Sequence, residues 1–294
     1  MHILWSTCVQ KPETLYTSRS LRFADRFREM YTTSFALPDT ENLRILEIGC
    51  GPGALAQALS RWYPHATVTG LDRDTTFIAF AKAHAPSIDF IEGDALHLPF
   101  PDGSMDVTIS YTVMEHIEPA IFLAEQMRVL RPGGICIVMS VRPSRIHRQA
   151  PCVAEDTPFA AEIYARTEPY FQTSLQTYGV CQYPKTEQEM PFLLQEAGFQ
   201  SVSGDYLTIH MTPDDPRYDA EMAHAMINAA RQNDLDGIAY MPHVAPGVVS
   251  ETEMDEMRRL IHEKYDKRLA LYEAGLPQWD TSVCLTMLLR GVKP

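Results

Sequence analysis

Long apolar runs are missing from this chain. No stretch approaches the roughly 20 residues that span a bilayer, so no membrane-crossing helix is expected. Met1 to Gln10 has no basic stretch ahead of an apolar core, so no secretory signal is expected either. Cysteine is sparse and scattered. The six are Cys8, Cys50, Cys136, Cys152, Cys181 and Cys284; there is no CxxC, and Cys50, Cys136 and Cys284 lie in apolar segments. That pattern suits buried free thiols in a reducing compartment, hence a cytoplasmic protein. The ten histidines form no HExxH and no paired ligand spacing, so no metal site is expected. Positive charge is in deficit: 25 Lys and Arg against 38 Asp and Glu, a net charge of −13. This argues against nucleic acid or an anionic membrane as the main partner. There is no internal repeat and no low-complexity tract.

What is present is an ordinary globular composition, 45% hydrophobic and 21% charged over 294 residues. At roughly 150 residues per domain this is about two domains, or one with a large insertion. Arg44 to Ile48 is a short apolar run that enters Gly49-Cys-Gly-Pro-Gly53, and Leu55, Leu59 and Trp62 follow at helical spacing. That reads as strand, glycine turn, helix. Further strands are expected at Thr67 to Asp72, Ile88 to Ile91, Asp106 to Tyr111 and Ile135 to Val141. A helix striped by Leu123, Met127 and Leu130 stops at Arg131-Pro-Gly-Gly134, where glycine takes the left-handed turn and proline cannot continue.

Residues 142–185 are rich in proline and aromatics and lack clean periodicity. The pattern resumes with a capping box, Thr186-x-x-Glu189, a helix through Ala197 and a strand from Val202 to Ile209. Two helices are expected next, Asp219 to Gln232 and, after the box Ser250-x-x-Glu253, a long one through Tyr272. A last strand spans Ser282 to Leu289. Strands alternating with helices predict an α/β fold with a doubly wound, mostly parallel sheet. It would be assembled from 42–141, 186–210 and 279–294. The segments 1–41, 142–185 and 211–278 would form a mainly helical cap.

The glycine turn has chemistry. Glu47-Ile-Gly-Cys-Gly-Pro-Gly53 is ExGxGxG, whose glycines let the backbone turn sharply and approach a ligand. The dinucleotide fingerprint GxGxxG places its third glycine one residue later, and a carboxylate beside the turn suits an amino group better than a pyrophosphate. No GKS or GKT follows, so a phosphate loop is excluded. Asp72 lies 19 residues past Gly53, at a strand end where an acid can accept two ribose hydroxyls. Asp94, in Gly93-Asp94-Ala95 after the third strand, could accept from an adenine amino group. Each acid alone could be a solvated loop residue or a helix cap; together they face one crevice.

In these residues the chain resembles the class I S-adenosylmethionine-dependent methyltransferases, specifically the methyltransferase type 11 group, which is similar to the ubiquinone and menaquinone methylases. The resemblance runs from Ile45 to about Val141. It rests on Ile45-Leu-Glu-Ile-Gly-Cys-Gly-Pro-Gly53, Gly70-Leu-Asp72, Glu92-Gly-Asp-Ala95, Leu98-Pro-Phe-Pro-Asp102, Met105-Asp106, Met114-Glu-His116 and Val129-Leu-Arg-Pro-Gly-Gly134. Met105 stands where members usually have Phe. The resemblance implies a seven-stranded Rossmann-like sheet and S-adenosyl-L-methionine as cofactor. It implies that Gly49, Gly51 and Gly53 line the methionine part and that Glu47 orients its amino group. Asp72, with Arg73 beside it, would hold the ribose; Asp94 and Ala95 the adenine; Ser110 and Tyr111 would close the other side. Members often lay an N-terminal segment over the cofactor, which makes Tyr16 and Arg19 candidates, Arg19 for the carboxylate.

Methyl transfer from a sulfonium needs alignment and exclusion of water, and a base only if the acceptor must lose a proton. His116 is the base candidate, with packing or capping as its plain alternative; Glu115 is a weaker one, and His210 and His243 are acceptor-side candidates. The expected acceptor is a small, partly apolar or aromatic molecule. About 68 residues separate Ile209 from Gln278, an insertion that reads as a lid or acceptor pocket. It carries Tyr218, Met222, Met226, Tyr240 and Met241, with Tyr206 just before it, which could equally be core. Two other functions stay open: a cofactor-binding sensor or structural protein without catalysis, and a thiol or metalloid methyltransferase, suggested by Cys152 and Cys181. Nothing here fixes an oligomeric state.

Overall fold

The computed structural model describes residues 4–38, 40, 42–142, 146–153 and 156–294. Positions 1–3, 39, 41, 143–145 and 154–155 of the expected cap lie outside the described residues. In chain order the elements are α1 (Trp5–Cys8), α2 (Pro12–Arg22), α3 (Arg28–Phe35), β1 (Arg44–Ile48), α4 (Ala54–Trp62), β2 (Thr67–Asp72), α5 (Thr75–His84), β3 (Asp89–Glu92) and β4 (Met105–Tyr111). They continue with α6 (Pro119–Val129), β5 (Leu130–Val141), β6 (Ile146–Arg148), α7 (Pro158–Thr177), α8 (Glu189–Glu196), β7 (Gln200–Met211), α9 (Ala220–Val244), α10 (Glu251–Glu273) and β8 (Thr281–Val292). Single 3₁₀ turns stand at Asp25–Phe27, Met114–His116 and Pro151–Val153.

The chain divides into two compact units. The sheet unit comprises residues 22–143, 179–209 and 285–294. Its strands run β3-β2-β1-β4-β5-β8, with β7 also on β8. The pairs β2–β3, β1–β2, β1–β4 and β4–β5 are parallel, and β5–β8 is antiparallel. This is the doubly wound, mostly parallel seven-stranded sheet expected. β4 is buried along its whole length, as a strand covered on both faces must be. Leu46, Ile48, Val138, Met287 and Leu289 form the sheet's part of a core that Phe122, Leu123, Met190 and Leu194 complete from α6 and α8. At the amino ends of β1, β4 and β5, Asp106 accepts from Arg44 and Arg131. Partial burial would raise the Asp106 carboxyl, but these hydrogen bonds prevail and bring it down to about 2.

The second unit comprises residues 1–21, 144–178 and 210–284. Its core joins α7, α9 and α10 through Ala160, Ile163, Ile227, Ile238, Met241, Met257 and Ile261. A three-residue strand, β6, pairs antiparallel with Thr281–Val283 of β8. Arg268, 1% exposed, bonds both Asp214 (2.8 Å) and Asp280 (2.6 Å). Asp214 also accepts from the backbone of Gln278 and Trp279. One guanidinium thereby fastens the start of the 211–278 segment to its end. Among the described residues no helix is long and apolar enough to cross a membrane.

Several expectations need correction. Residues 22–41 and 179–185, expected in the cap, belong to the sheet unit, and 279–284 to the other. For 22–41 the cause is an aromatic stack: Phe23 meets Tyr111 edge-on at 5.1 Å, and Tyr31 stacks on Trp62 at 5.3 Å. Residues 142–185 are not irregular throughout, because α7 occupies 20 of them despite Pro169. α9 runs twelve residues beyond the expected end, through Pro242. Both capping boxes form, at Thr186/Glu189 and at Ser250/Glu253.

Candidate functional site

β1 and β4 are neighbours, and the chain winds outward from β1 on one side and from β4 on the other. Their carboxyl ends are therefore the point where the strand order reverses, where an open α/β sheet leaves a crevice. The glycine turn opens there. Gly49, Gly51 and Gly53 have φ of +71°, +53° and +86°, a left-handed run that only glycine adopts without strain. Space excludes side chains as well: a Cβ on Gly49 would collide with the Val113 side chain, and one on Gly53 would lie 2.8 Å from the Phe90 ring.

The acids are brought to this turn. Asp72 ends β2; its Oδ2 accepts from the Gly51 N–H and its Oδ1 from the Asp74 N–H, both at 2.8 Å. The carboxylate is thus oriented by backbone, and each oxygen keeps further acceptor capacity. Burial pushes the Asp72 carboxyl up, against the pull of those two N–H groups. Glu47, on β1, is 2% exposed. Burial first, and then the negative charges of Glu47 and Asp72, push the Cys50 thiol well above its ordinary range. Two carboxylates thus converge on the turn and make it electronegative. Ser110, on β4, is fully buried, and its hydroxyl has no hydrogen-bond partner among the described residues.

Asp94 stands after β3 and is exposed; its Oδ1 accepts from Leu96 N–H at 2.9 Å, and Ala95 packs against the sheet core. Arg73 is exposed beside Asp72, whose carboxyl it draws down slightly. Tyr16 and Arg19 stand on α2 in the other unit. His116 closes the 3₁₀ turn after β4, and its Nδ1 accepts from the Cys181 N–H at 2.9 Å.

Other residues at these strand ends escaped sequence reading. Thr112, just past β4, has φ +54° with no glycine to mark it. Ser140 donates to Glu115 at 3.1 Å, and the buried Arg142 bonds Ser140 and, at 3.0 Å, the Lys185 carbonyl. Phe23 was detectable, since Phe23, Phe27, Tyr31 and Phe35 recur every four residues. The Cys181 thiol is exposed, and partial burial together with Glu115 pushes it up.

Comparisons with known proteins bear on this geometry. A family model described as "Methyltransferase domain", Methyltransf_11, matches residues 46–138. The fatty-acid O-methyltransferase of Mycolicibacterium smegmatis is 39% identical over 119 residues, 39% of this chain and 43% of that protein. A phthiotriol/phenolphthiotriol dimycocerosates methyltransferase of Mycobacterium tuberculosis is 38% identical over 119 residues, 39% of this chain and 44% of that protein. The chain thus matches less than half the length of these relatives. Among solved structures, the [4+2]-cyclase SpnF has a TM-score of 0.50 at 19% identity, covering 92% of this chain and 81% of that one; this likeness shows the fold alone. The matched segment, residues 46–138, holds the whole glycine turn, Asp72, Asp94, Ser110 and His116, and over that segment the chain is similar to the methyltransferase domain of the type 11 group.

Proposed function

We propose that this chain methylates a small, partly apolar or aromatic molecule, with S-adenosyl-L-methionine as donor. The observation that carries this reading is the glycine turn flanked by Asp72 and Glu47. Three left-handed glycines leave backbone open to a ligand, and two carboxylates give it the charge that suits an ammonium and a sulfonium. When bound, the cofactor supplies an electrophilic methyl group on a sulfonium.

The residues present fit that group. Gly49, Gly51 and Gly53 would flank its methionine part, Glu47 its amino group and Asp72 its ribose hydroxyls. Asp94 and Ala95 would flank the adenine, Arg73 would lie outside the ribose, and the orphaned Ser110 hydroxyl would meet the ligand from β4. Tyr16 and Arg19 are proposed as contacts from the N-terminal segment. The helical unit, including 211–278, is proposed as the acceptor lid. Its methionines and tyrosines support an apolar acceptor, as does the fatty-acid acceptor in one relative's name. The net charge of −13 supports an enzyme without a nucleic-acid or anionic-membrane partner, and six scattered cysteines with no CxxC support a cytoplasmic one.

The experiment is a turnover assay. Release of the demethylated cofactor is followed over a panel of fatty acids, phenols, terpenoids, thiols and a nucleic acid. The expected result is turnover with at least one apolar or aromatic acceptor and none with the nucleic acid. Cofactor binding without turnover on any acceptor would favour a sensor over an enzyme.

A further inference from the structure

His116 stands where a general base would be sought, but its ring is already committed. A backbone N–H can only donate, so the 2.9 Å contact from Cys181 N–H makes Nδ1 an acceptor without a proton. In the neutral ring the proton then sits on Nε2. A base takes a proton on its bare nitrogen, and that nitrogen is the one held by Cys181.

The tie belongs to a set. Tyr183 N–H donates to the Glu115 carbonyl at 3.0 Å, one residue before His116. The Glu115 carboxylate accepts from Ser140, Ser140 is bonded by Arg142, and Arg142 holds the Lys185 carbonyl at 3.0 Å. Residues 181 and 183 are thus fastened to the segment after β4, and residue 185 to Arg142 just past β5. All of these residues lie in the sheet unit. Cys181 has φ +51°, a conformation that costs a non-glycine residue and persists when surrounding contacts impose it.

We infer that His116 is a positioning residue and not the base: held in the Nε2–H form, it pins the strap 181–185 across the carboxyl ends of β4 and β5. The inference rests on the methyltransferase reading only for its kinetic arm. Nitrogen NMR of the full chain labelled at histidine reads the tautomer directly, with His116→Gln to assign the signal. A bare, hydrogen-bonded Nδ1 and a protonated Nε2 are expected in the neutral ring; the reverse tautomer would overturn the inference whatever the protein methylates. Substitution separates the two nitrogens. In His116→Asn the side-chain oxygen takes the place of Nδ1 and can accept from Cys181. Exchange of the Cys181 amide should stay near wild type in His116→Asn and quicken by about fivefold in His116→Ala and His116→Gln, as for loss of a modest hydrogen bond. Turnover should follow the same order, with Asn retained above Ala and Gln. A base would lose activity in all three alike, and equal loss in Asn and Ala would overturn the assignment.

Discussion

Asp72→Ala should weaken binding of the demethylated cofactor by at least about tenfold, because hydrogen bonds to a charged acceptor contribute about 1.5–3 kcal/mol. Asp72 has two tasks that the substitution ends together. It holds the glycine turn through Gly51 and Asp74, and it would take the ribose hydroxyls with its remaining acceptor capacity. Isothermal titration gives the affinity, and a thermal melt shows whether the sheet unit still folds. The carboxyl is raised by burial, so affinity should fall on acidification from a pH above the ordinary carboxylate range, as the carboxylate gains a proton and loses acceptor capacity. Unchanged affinity in a folded variant would leave Asp72 as a turn anchor alone.

Gly49→Ala should be the most damaging single change in the turn. The residue has φ +71°, which costs an alanine roughly 1 kcal/mol or more, and its new Cβ collides with the Val113 side chain. The turn must shift or Val113 must move. At about 2–4 °C per kcal/mol for a chain of this order of size, a melting temperature several degrees lower is expected. Cofactor affinity should fall by at least about tenfold, since the displaced turn is itself the proposed contact. Val113→Ala in the same chain should restore part of the melting temperature, because it removes the collision while the backbone strain remains. No recovery in the double variant would show that φ, and not packing, dominates at Gly49.

These two residues also show what the sequence made legible. β1, its glycine turn and Asp72 were readable because strand, turn and strand end are written in adjacent residues, each with a local physical signature. The capping boxes at Thr186 and Ser250 were readable for the same reason. α7 was not: its buried positions, Ala160, Ile163 and Thr167, keep helical spacing, but Pro169 and the exposed Tyr164, Tyr170 and Phe171 blur it. The N-terminal aromatics carried a four-residue period, yet nothing local told that they would join the sheet unit through Tyr111 and Trp62. The Cys181–His116 bond spans 65 residues of sequence. A histidine that reads as a base by position is a strap anchor by geometry, and only the folded chain shows the difference.

The most direct test of the account is titration calorimetry of the full chain with S-adenosylhomocysteine and, in parallel, with NAD. S-adenosylhomocysteine should bind at micromolar affinity or tighter, roughly −8 kcal/mol, with NAD far weaker, because a turn bearing Glu47 and Asp72 suits an ammonium and repels a pyrophosphate. NAD binding more tightly than S-adenosylhomocysteine would contradict it.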